Sequence, residues 1–426
     1  MGLGRDIAYG LGAAAAAPVW ATSLLRTGKW RTDWPGRFGR VKSPPAGGEA
    51  PARRNTLLIH GVSVGEVNLV RGLVAELEND PDLDLVISST TNTGTARAQA
   101  LYGDRHRVVR FPLDFSFAVR KFLDAVRPDA IALVELEVWP NFMEACAKRG
   151  VPVAVINGRL SERSYRGYRR VRPLVAPSFR RLAAAAVQDE AYAERFVGLG
   201  VPPERVHVFD TMKWDAADLA DTVDGADELA EAMGIDRTRP LVVAGSTAPG
   251  EDDLLIRTRP PEAQLLIAPR KPEWFEGVMQ HAPDAVRRTK TRHTARPPTS
   301  GGGVFLLDTI GELRAAYSLA DVCVVGRSFT GELYGSDMVE PIALGKPTVI
   351  GPHFRDFADT MKALTDAGGI VVSDEPMGAV TELLHNPTLA AEVAAAGRDV
   401  IRSRRGATPR HAALLRNLLA GSERPG

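Results

Sequence analysis

The sequence predicts an α/β protein built from two successive doubly wound lobes, and three observations carry that prediction. Short apolar strand-like runs alternate with helix-like stretches along nearly the whole chain, which is the pattern of a parallel sheet covered on both faces. The alternation pauses once, in the polar and acidic segment Asp215–Arg239, and then restarts. The 426 residues are 44% apolar and 25% charged, with 40 Gly and 30 Pro dispersed as punctuation. That composition excludes a mostly disordered chain, and the length suits two or three domains.

Taken in order, the first half predicts strands at Thr56–His60, Leu83–Ser88, Asp129–Val134, Val151–Ile156, Ala183–Gln188 and Arg205–Phe209. Helices are expected at Gly65–Glu78, Phe115–Val126 and Trp139–Arg149 between them. The second half predicts strands at Leu241–Ala244, Gln264–Ala268, Val304–Leu307, Val322–Val325, Thr348–Ile350 and Ile370–Val372. Residues 288–303 read as a surface loop, and Thr388–Leu419 as two helices able to cross back onto the first lobe. The expected division is an N-terminal helix at 1–28, a first lobe at 29–212, a second lobe at 213–386 and C-terminal helices at 387–426, with a cleft between the lobes.

Charge adds further limits. With 53 basic and 52 acidic residues the formal net charge is +1, so no global field draws the chain to nucleic acid. The average hides two basic blocks: nine Lys/Arg against three acids in residues 1–60, and eight Arg against one acid in 157–182. Cys146 and Cys323 lie far apart in apolar segments, which excludes a disulfide framework and fits a reducing compartment. Ile7–Leu25 is uncharged, bounded by Arg5 and Arg26, and followed by further cations and by Trp30 and Trp34. An anchor or interfacial helix against an anionic membrane is the expectation, over a helix packed within the protein or a cleaved signal peptide.

Open parallel sheets bind ligands beyond the carboxyl ends of their strands, so the turns there carry the chemistry. His60-Gly61-Val62-Ser63-Val64-Gly65-Glu66 places a carboxylate in the first turn of a helix, where the helix dipole alone would favour it. Ser88–Gly94 is a dense hydroxyl run, part of which an N-cap explains. Glu135-Leu136-Glu137-Val138-Trp139-Pro140-Asn141 sets two acids and an indole at a strand end. In the second half, Ala244–Glu251 opens a helix with Ser246 and Thr247, an arrangement suited to an anion. Pro269-Arg270-Lys271-Pro272 supplies cations, Asp308-Thr309-Ile310-Gly311-Glu312 a third helix start, and Glu340 a carboxylate suited to a ribose diol. Neither a Walker loop nor an HExxH, EF-hand or CxxC pattern is present, so no metal or other cofactor is expected.

These residues resemble those of the 3-deoxy-D-manno-octulosonic acid (Kdo) transferases of lipid A biosynthesis, inverting glycosyltransferases of two-lobed GT-B architecture. The matching segments are Arg37-Phe38-Gly39, Val62–Glu66, Thr90–Gly94, Glu135–Asn141, Asn157–Ser164, Gly245-Ser246-Thr247, Pro269–Glu273, Asp308–Leu313 and Gly351-Pro352-His353. The chain departs from the family pattern at Tyr334-Gly335-Ser336-Asp337, at Asp210–Asp215 and at Gly326-Arg327. The resemblance implies transfer of Kdo from CMP-Kdo to a lipid A precursor at the cytoplasmic face of the inner membrane. Glu66 would be the general base. Ser246, Thr247, Arg270 and Lys213 would receive the leaving phosphate, with Gly311, Glu312, Ser336, Asp337 and Glu340 completing the nucleotide site. Ser63, Gly65, Glu135, Glu137, Asn157 and Arg159 would face the acceptor. A related transferase using another nucleotide sugar, or a non-enzymatic sugar- or lipid-binding protein, is the alternative.

Overall fold

The computed structural model describes Asp6, Tyr9 and residues 32–41, 54–291, 303–331 and 333–421. Apart from Tyr9, the expected anchor Ile7–Leu25 lies outside the described residues. No helix among those described is long and apolar enough to cross a membrane. The chain forms two compact units, one of Met1–Ala216 with Gly406–Gly426 and one of Ala217–Arg405.

The first unit holds seven parallel strands: β1 Asn55–His60, β2 Leu83–Ser89, β3 Arg107–Arg110, β4 Ala130–Val134, β5 Val153–Gly158, β6 Ala184–Val187 and β7 Val206–Val208. Their order is β3-β2-β1-β4-β5-β6-β7, a doubly wound arrangement whose order reverses between β1 and β4. Alternate side chains of β1 feed opposite cores: Leu58 joins Phe122, Phe142 and Phe179, whereas Leu57 and Ile59 join Leu73, Ile87 and Leu415. Both faces are therefore apolar, which is why these strands read as continuous hydrophobic runs.

The second unit holds β8 Leu241–Thr247, β9 Gln264–Pro269, β10 Val286–Arg287, β11 Val304–Leu306, β12 Val322–Val325, β13 Thr348–Ile350 and β14 Val371–Val372. The order β10-β11-β9-β8-β12-β13-β14 again places a switch beside the first strand, here between β8 and β12.

Several details differ from the sequence expectation. The structure adds β3 and β10, both outermost in their sheets, where a short strand has one neighbour and little apolar pattern to betray it. The expected helix Gly65–Glu78 is two helices, Val64–Leu69 and Arg71–Leu77, broken at Val70, whose ψ of 4° is not α-helical. Arg288–Thr291, expected as loop, is a helical turn with Thr291 buried. The boundary falls after Ala216 rather than at 212/213, because Met212 is part of the first unit's core. Of the C-terminal helices, Pro387–Arg404 stays with the second unit and Ala407–Ala420 returns to the first. Asp215 fastens that return, its two oxygens accepting the Gly406 and Thr408 amides at 2.6 Å each. Asp6 and Tyr9 also dock on the first unit. Asp6 accepts the Ser116 amide at 2.9 Å, and the Tyr9 hydroxyl donates to Asp114 at 3.1 Å.

Candidate active site

The turn after β1 is built around Glu66. Ser63, extended at φ −115°, caps the helix Val64–Leu69 by accepting the Glu66 amide, and its hydroxyl donates to Glu66 Oε1 at 2.9 Å. Glu66 Oε2 accepts the Val62 amide at 2.8 Å. This resembles a capping box displaced by one residue, with a serine and a glutamate three positions apart satisfying each other. The hydroxyl run after β2 holds the turn from behind: Ser89 Oγ, Thr91 Oγ1 and the Thr91 amide all donate to the Val62 carbonyl. Gly94 makes this approach possible, because a Cβ there would lie 2.9 Å from that carbonyl oxygen. His60 is fully buried, stacked 3.7 Å from the Phe111 ring, and burial pushes it down to about 3. It is a neutral core histidine.

β4 pairs with β1, so its turn brings two more carboxylates to the same switch point. Glu137 accepts the Trp139 indole N–H at 2.7 Å. Burial raises Glu66 above the usual carboxylate range, opposed by the Val62 hydrogen bond and reinforced by the charge of Glu135. Burial, with the charges of Glu66 and Glu135, pushes Glu137 up to about 7. Glu135 itself has φ +60°. Left-handed backbone at a residue other than glycine costs about 1–3 kcal/mol and gathers at functional sites. Here it recurs at the ends of β4, β5, β8 and β12, at Glu135, Asn157, Ser246 and Arg327.

In the second unit the strand ends again converge. Ser246 interrupts the β8–β9 register with φ +59°, and the Thr247 carbonyl accepts the Arg270 amide at 3.0 Å. Gly326, after β12, comes so close that a Cβ would lie 2.5 Å from Thr247 Cα. The Arg270 side chain is exposed and has no partner among the described residues. Thr247 and Ser336 are buried, Thr247 beside the Asp252 carboxyl, and the Ser336 hydroxyl lacks a hydrogen-bond partner among the described residues. Asp337 accepts the Val339 amide at 2.9 Å and so fixes the turn into the short helix carrying Glu340. Glu340 is half-buried, and burial together with the charge of Asp337 raises its pKa.

Other expected residues take different places. Asn157 is fully buried: its amide donates to His411, its Oδ1 accepts the Met212 amide and its carbonyl accepts Gln188. It braces the returning C-terminal helix instead of presenting a surface to an acceptor. Glu312 is committed to Arg288 at 2.8 Å and to the Thr309 hydroxyl, so its carboxylate holds the turn together. Gly311 has φ +97°, a conformation that favours glycine for the turn itself. Lys213, expected with the donor set, belongs to the first unit. Gly65 is exposed, and the Arg159 amide donates to the Glu135 carbonyl at 3.4 Å, joining the turns after β4 and β5. Beyond Arg159, the helix Glu162–Arg170 presents Arg163, Arg166, Arg169 and Arg170 on an exposed surface. No group of three potential metal ligands is found among the described residues.

One organising residue was not foreseen. Glu251 is fully buried, yet its carboxylate accepts four amides, from Ala248 and Arg327 on Oε2 and from Ser328 and Phe329 on Oε1. It welds the turns after β8 and β12 into one scaffold. A glutamate near a helix start looks the same in sequence whether it points to solvent or inward, so no local pattern marked it.

Comparison with known proteins gives the family and fold likenesses of the chain. The family model described as 3-Deoxy-D-manno-octulosonic-acid transferase (kdotransferase) matches residues 32–216. The chain is 29% identical over 399 residues to 3-deoxy-D-manno-octulosonic acid transferase of Haemophilus influenzae, covering 90% of each chain. It is 29% identical over 432 residues to that of Bordetella pertussis, covering 96% of this chain and 98% of the relative. Among solved structures, Anabaena Alr3699/HepE in complex with UDP shares the fold at a TM-score of 0.58 and 12% identity, over 86% of this chain and 100% of that one. Over residues 32–216 the chain is therefore similar to the Kdo-transferase family model, over most of its length it is similar to Kdo transferases, and its fold of two doubly wound units is shared with HepE.

Proposed function

We propose that this glycosyltransferase moves Kdo from CMP-Kdo to a hydroxyl of a lipid A precursor, with inversion at the anomeric carbon. The observation that carries the reading is Glu66, oriented by Val62 and Ser63 at the switch point of the first sheet and made more basic by burial. Glu66 takes the proton of the acceptor hydroxyl as its oxygen attacks the anomeric carbon, and the bond from that carbon to the phosphate oxygen breaks. Negative charge then grows on the departing CMP. The Ser246-Thr247 turn and the unpartnered Arg270 suit that charge. The half-buried Glu340 suits the ribose diol, and the Ser336 hydroxyl, buried without a partner among the described residues, leaves a polar group for a ligand to satisfy.

In this reading the reaction needs no metal, and the exposed arginines of Glu162–Arg170, with Leu174 beside them, meet anionic lipid at the cytoplasmic face of the inner membrane. The test is turnover of purified protein with a panel of CMP- and UDP-sugars, with and without lipid A precursor and with and without EDTA. Kdo transfer from CMP-Kdo alone, unchanged by EDTA, is the expected result. Preference for a UDP-sugar would follow the Ser336-Asp337 departure and would move the donor assignment. Absence of turnover with every donor would leave a binding protein.

A further inference from the structure

A cavity of about 460 Å³ opens on the second unit, away from the turns described above. Its base lies where β8, β12 and β13 begin, at Pro240, Val322 and Pro347. These strands are parallel neighbours, so the cavity sits at their amino ends, whereas Thr247 and Gly326 sit at their carboxyl ends. The seven residues of β8 put roughly 20 Å between the two.

The cavity has two unlike sides. Leu384, of the helix Pro376–His385, and Ala390 and Ala394, of the helix Pro387–Arg404, make one side apolar. Arg237 and Arg239 make the other side cationic. Arg237 is exposed and donates once, to the Leu319 carbonyl at 2.9 Å. Arg239 bonds through Nε and Nη2 alone, to the Glu262 and Pro261 carbonyls at 3.3 and 3.4 Å. The other N–H groups of both forks make no hydrogen bond among the described residues, and neither arginine forms a salt bridge there.

Further cations stand behind them. Arg259 Nη1 and Arg239 Nη2 lie 3.6 and 3.7 Å from where a Gly303 Cβ would stand, and Arg259 Nε and Nη1 are buried without partners among the described residues. Burial lowers the Arg259 pKa, and the charge of Arg239 adds to the effect. The nearby acids are already engaged. Asp321 lines the cavity, but it accepts the Leu241 amide at 2.8 Å and its charge is felt by the partly buried Lys346. Asp236 is exposed and holds the Thr238 amide and hydroxyl at 2.9 and 2.7 Å. Glu262 faces His385 at 3.6 Å. Arg237, Arg239, Arg259 and Lys346 against Asp236 and Asp321 leave a positive excess. The amino end of the helix Pro387–Arg404 adds to it, because Pro387 and Ala390 of its first turn line the cavity. Open guanidinium forks across from a hydrocarbon surface, in a volume that fits a small organic molecule, match an anion with an apolar body.

We propose that this cavity is a second ligand site of the chain that takes a small, dissolved amphipathic anion. Its phosphate or carboxylate head meets Arg237 and Arg239, and its short hydrocarbon body lies along Leu384, Ala390 and Ala394. The site is independent of the sugar nucleotide and of the acceptor, since it uses none of the residues assigned to either.

Calorimetric titration of the full chain with hexyl phosphate, a probe that stays dissolved in water, tests this. The parent should bind it saturably, and equally well in the presence of CMP. Arg237→Gln removes charge-assisted hydrogen bonds and should bind at least about tenfold more weakly. Ala394→Phe places a ring on the apolar side and should weaken binding at least about tenfold by filling it. Melting midpoints without the probe check that both variants are folded. Inorganic phosphate and hexanol, the two halves of the probe, should each bind at least about tenfold more weakly than the whole. Inorganic phosphate bound as tightly as hexyl phosphate would overturn the amphipathic assignment. Competition by CMP, or binding by both variants equal to the parent's, would put the probe elsewhere and overturn the site. Absence of saturable binding by the folded parent would do the same. Displacement of the probe by phosphatidylglycerol vesicles would overturn the dissolved ligand in favour of a lipid headgroup.

Discussion

His411 Nε2 accepts the Asn157 amide hydrogen at 2.9 Å, joining the last helix to the end of β5 across 254 residues of sequence. Nδ1 lies 2.7 Å from the Ala407 carbonyl, so the ring is neutral with its proton on Nδ1. Protonating Nε2 would turn N–H against N–H.

That geometry predicts acid sensitivity of the first unit. Burial pushes His411 down to about 4, against about 6.5 in an unfolded chain. Between those values the unfolded state binds a proton that the folded state refuses, so stability falls as the pH drops from about 6.5 to about 4 and changes little further from this source. His60, lowered to about 3, acts in the same direction. Thermal midpoints measured across this range should fall. A His411→Gln variant should start less stable by about 1–3 kcal/mol and show a shallower acid decline. A decline as steep as the parent's would remove His411 from the account.

A different dependence holds the second unit. Glu251→Gln replaces one acceptor oxygen with an NH₂ facing amides that also donate, leaving two of the four N–H groups without their acceptor. A loss of about 2–5 kcal/mol is expected. Because Glu251 fixes the turns around Thr247 and Ser328, CMP affinity should fall with it. Calorimetry and CMP titration of the variant check both, and unaltered CMP binding would mean that the two turns hold their shape without it.

Most strands were legible because each is buried on both faces and reads as an apolar run. The exceptions are instructive. β3 is Arg107-Val108-Val109-Arg110, whose cations hide a two-residue apolar core, and β10 is only Val286-Arg287. The first unit's carboxylates were visible from motif and turn position, and the structure gathers Glu66, Glu135 and Glu137 as those motifs imply. Side-chain direction was not visible. Asn157 and Glu312 sit in family-like motifs but point into bracing networks, while Glu251 has no local pattern that separates a buried charge from an exposed one. Such roles depend on contacts between distant strand ends, which periodicity does not encode.

The coupling between carboxylates gives a kinetic prediction. The Glu135 charge raises Glu66, so Glu135→Gln should lower the Glu66 pKa. If Glu66 must be ionised to act, the acidic limb of the kcat/KM profile should move to lower pH. Gln keeps the size of Glu, limiting added strain at this φ +60° position. A limb that stays in place, or moves upward, would show that a different group controls it.

The sharpest prediction concerns Glu66 itself, because the structure offers a purely architectural role for it. Ser63 and Glu66 cap a helix, and loss of a cap costs about 0.5–2 kcal/mol with no necessary effect on turnover. A general base contributes about 10²–10⁴-fold in rate. Glu66→Gln retains an acceptor for the Val62 amide and a polar contact for Ser63, so the variant should fold, melt within a few degrees of the parent and bind CMP normally. Transfer should nevertheless fall by at least about a hundredfold. Ser63→Ala separates the roles from the other side. It removes the cap and one of the two hydrogen bonds orienting the carboxylate, but leaves the base in place, so stability should drop by about 1 kcal/mol and rate by about tenfold or less. If instead both variants lose rate only in proportion to stability, Glu66 is a capping residue. Transfer by Glu66→Gln within about threefold of the parent would then send the search for a base to Glu137, the remaining carboxylate at this switch point that burial holds near neutrality.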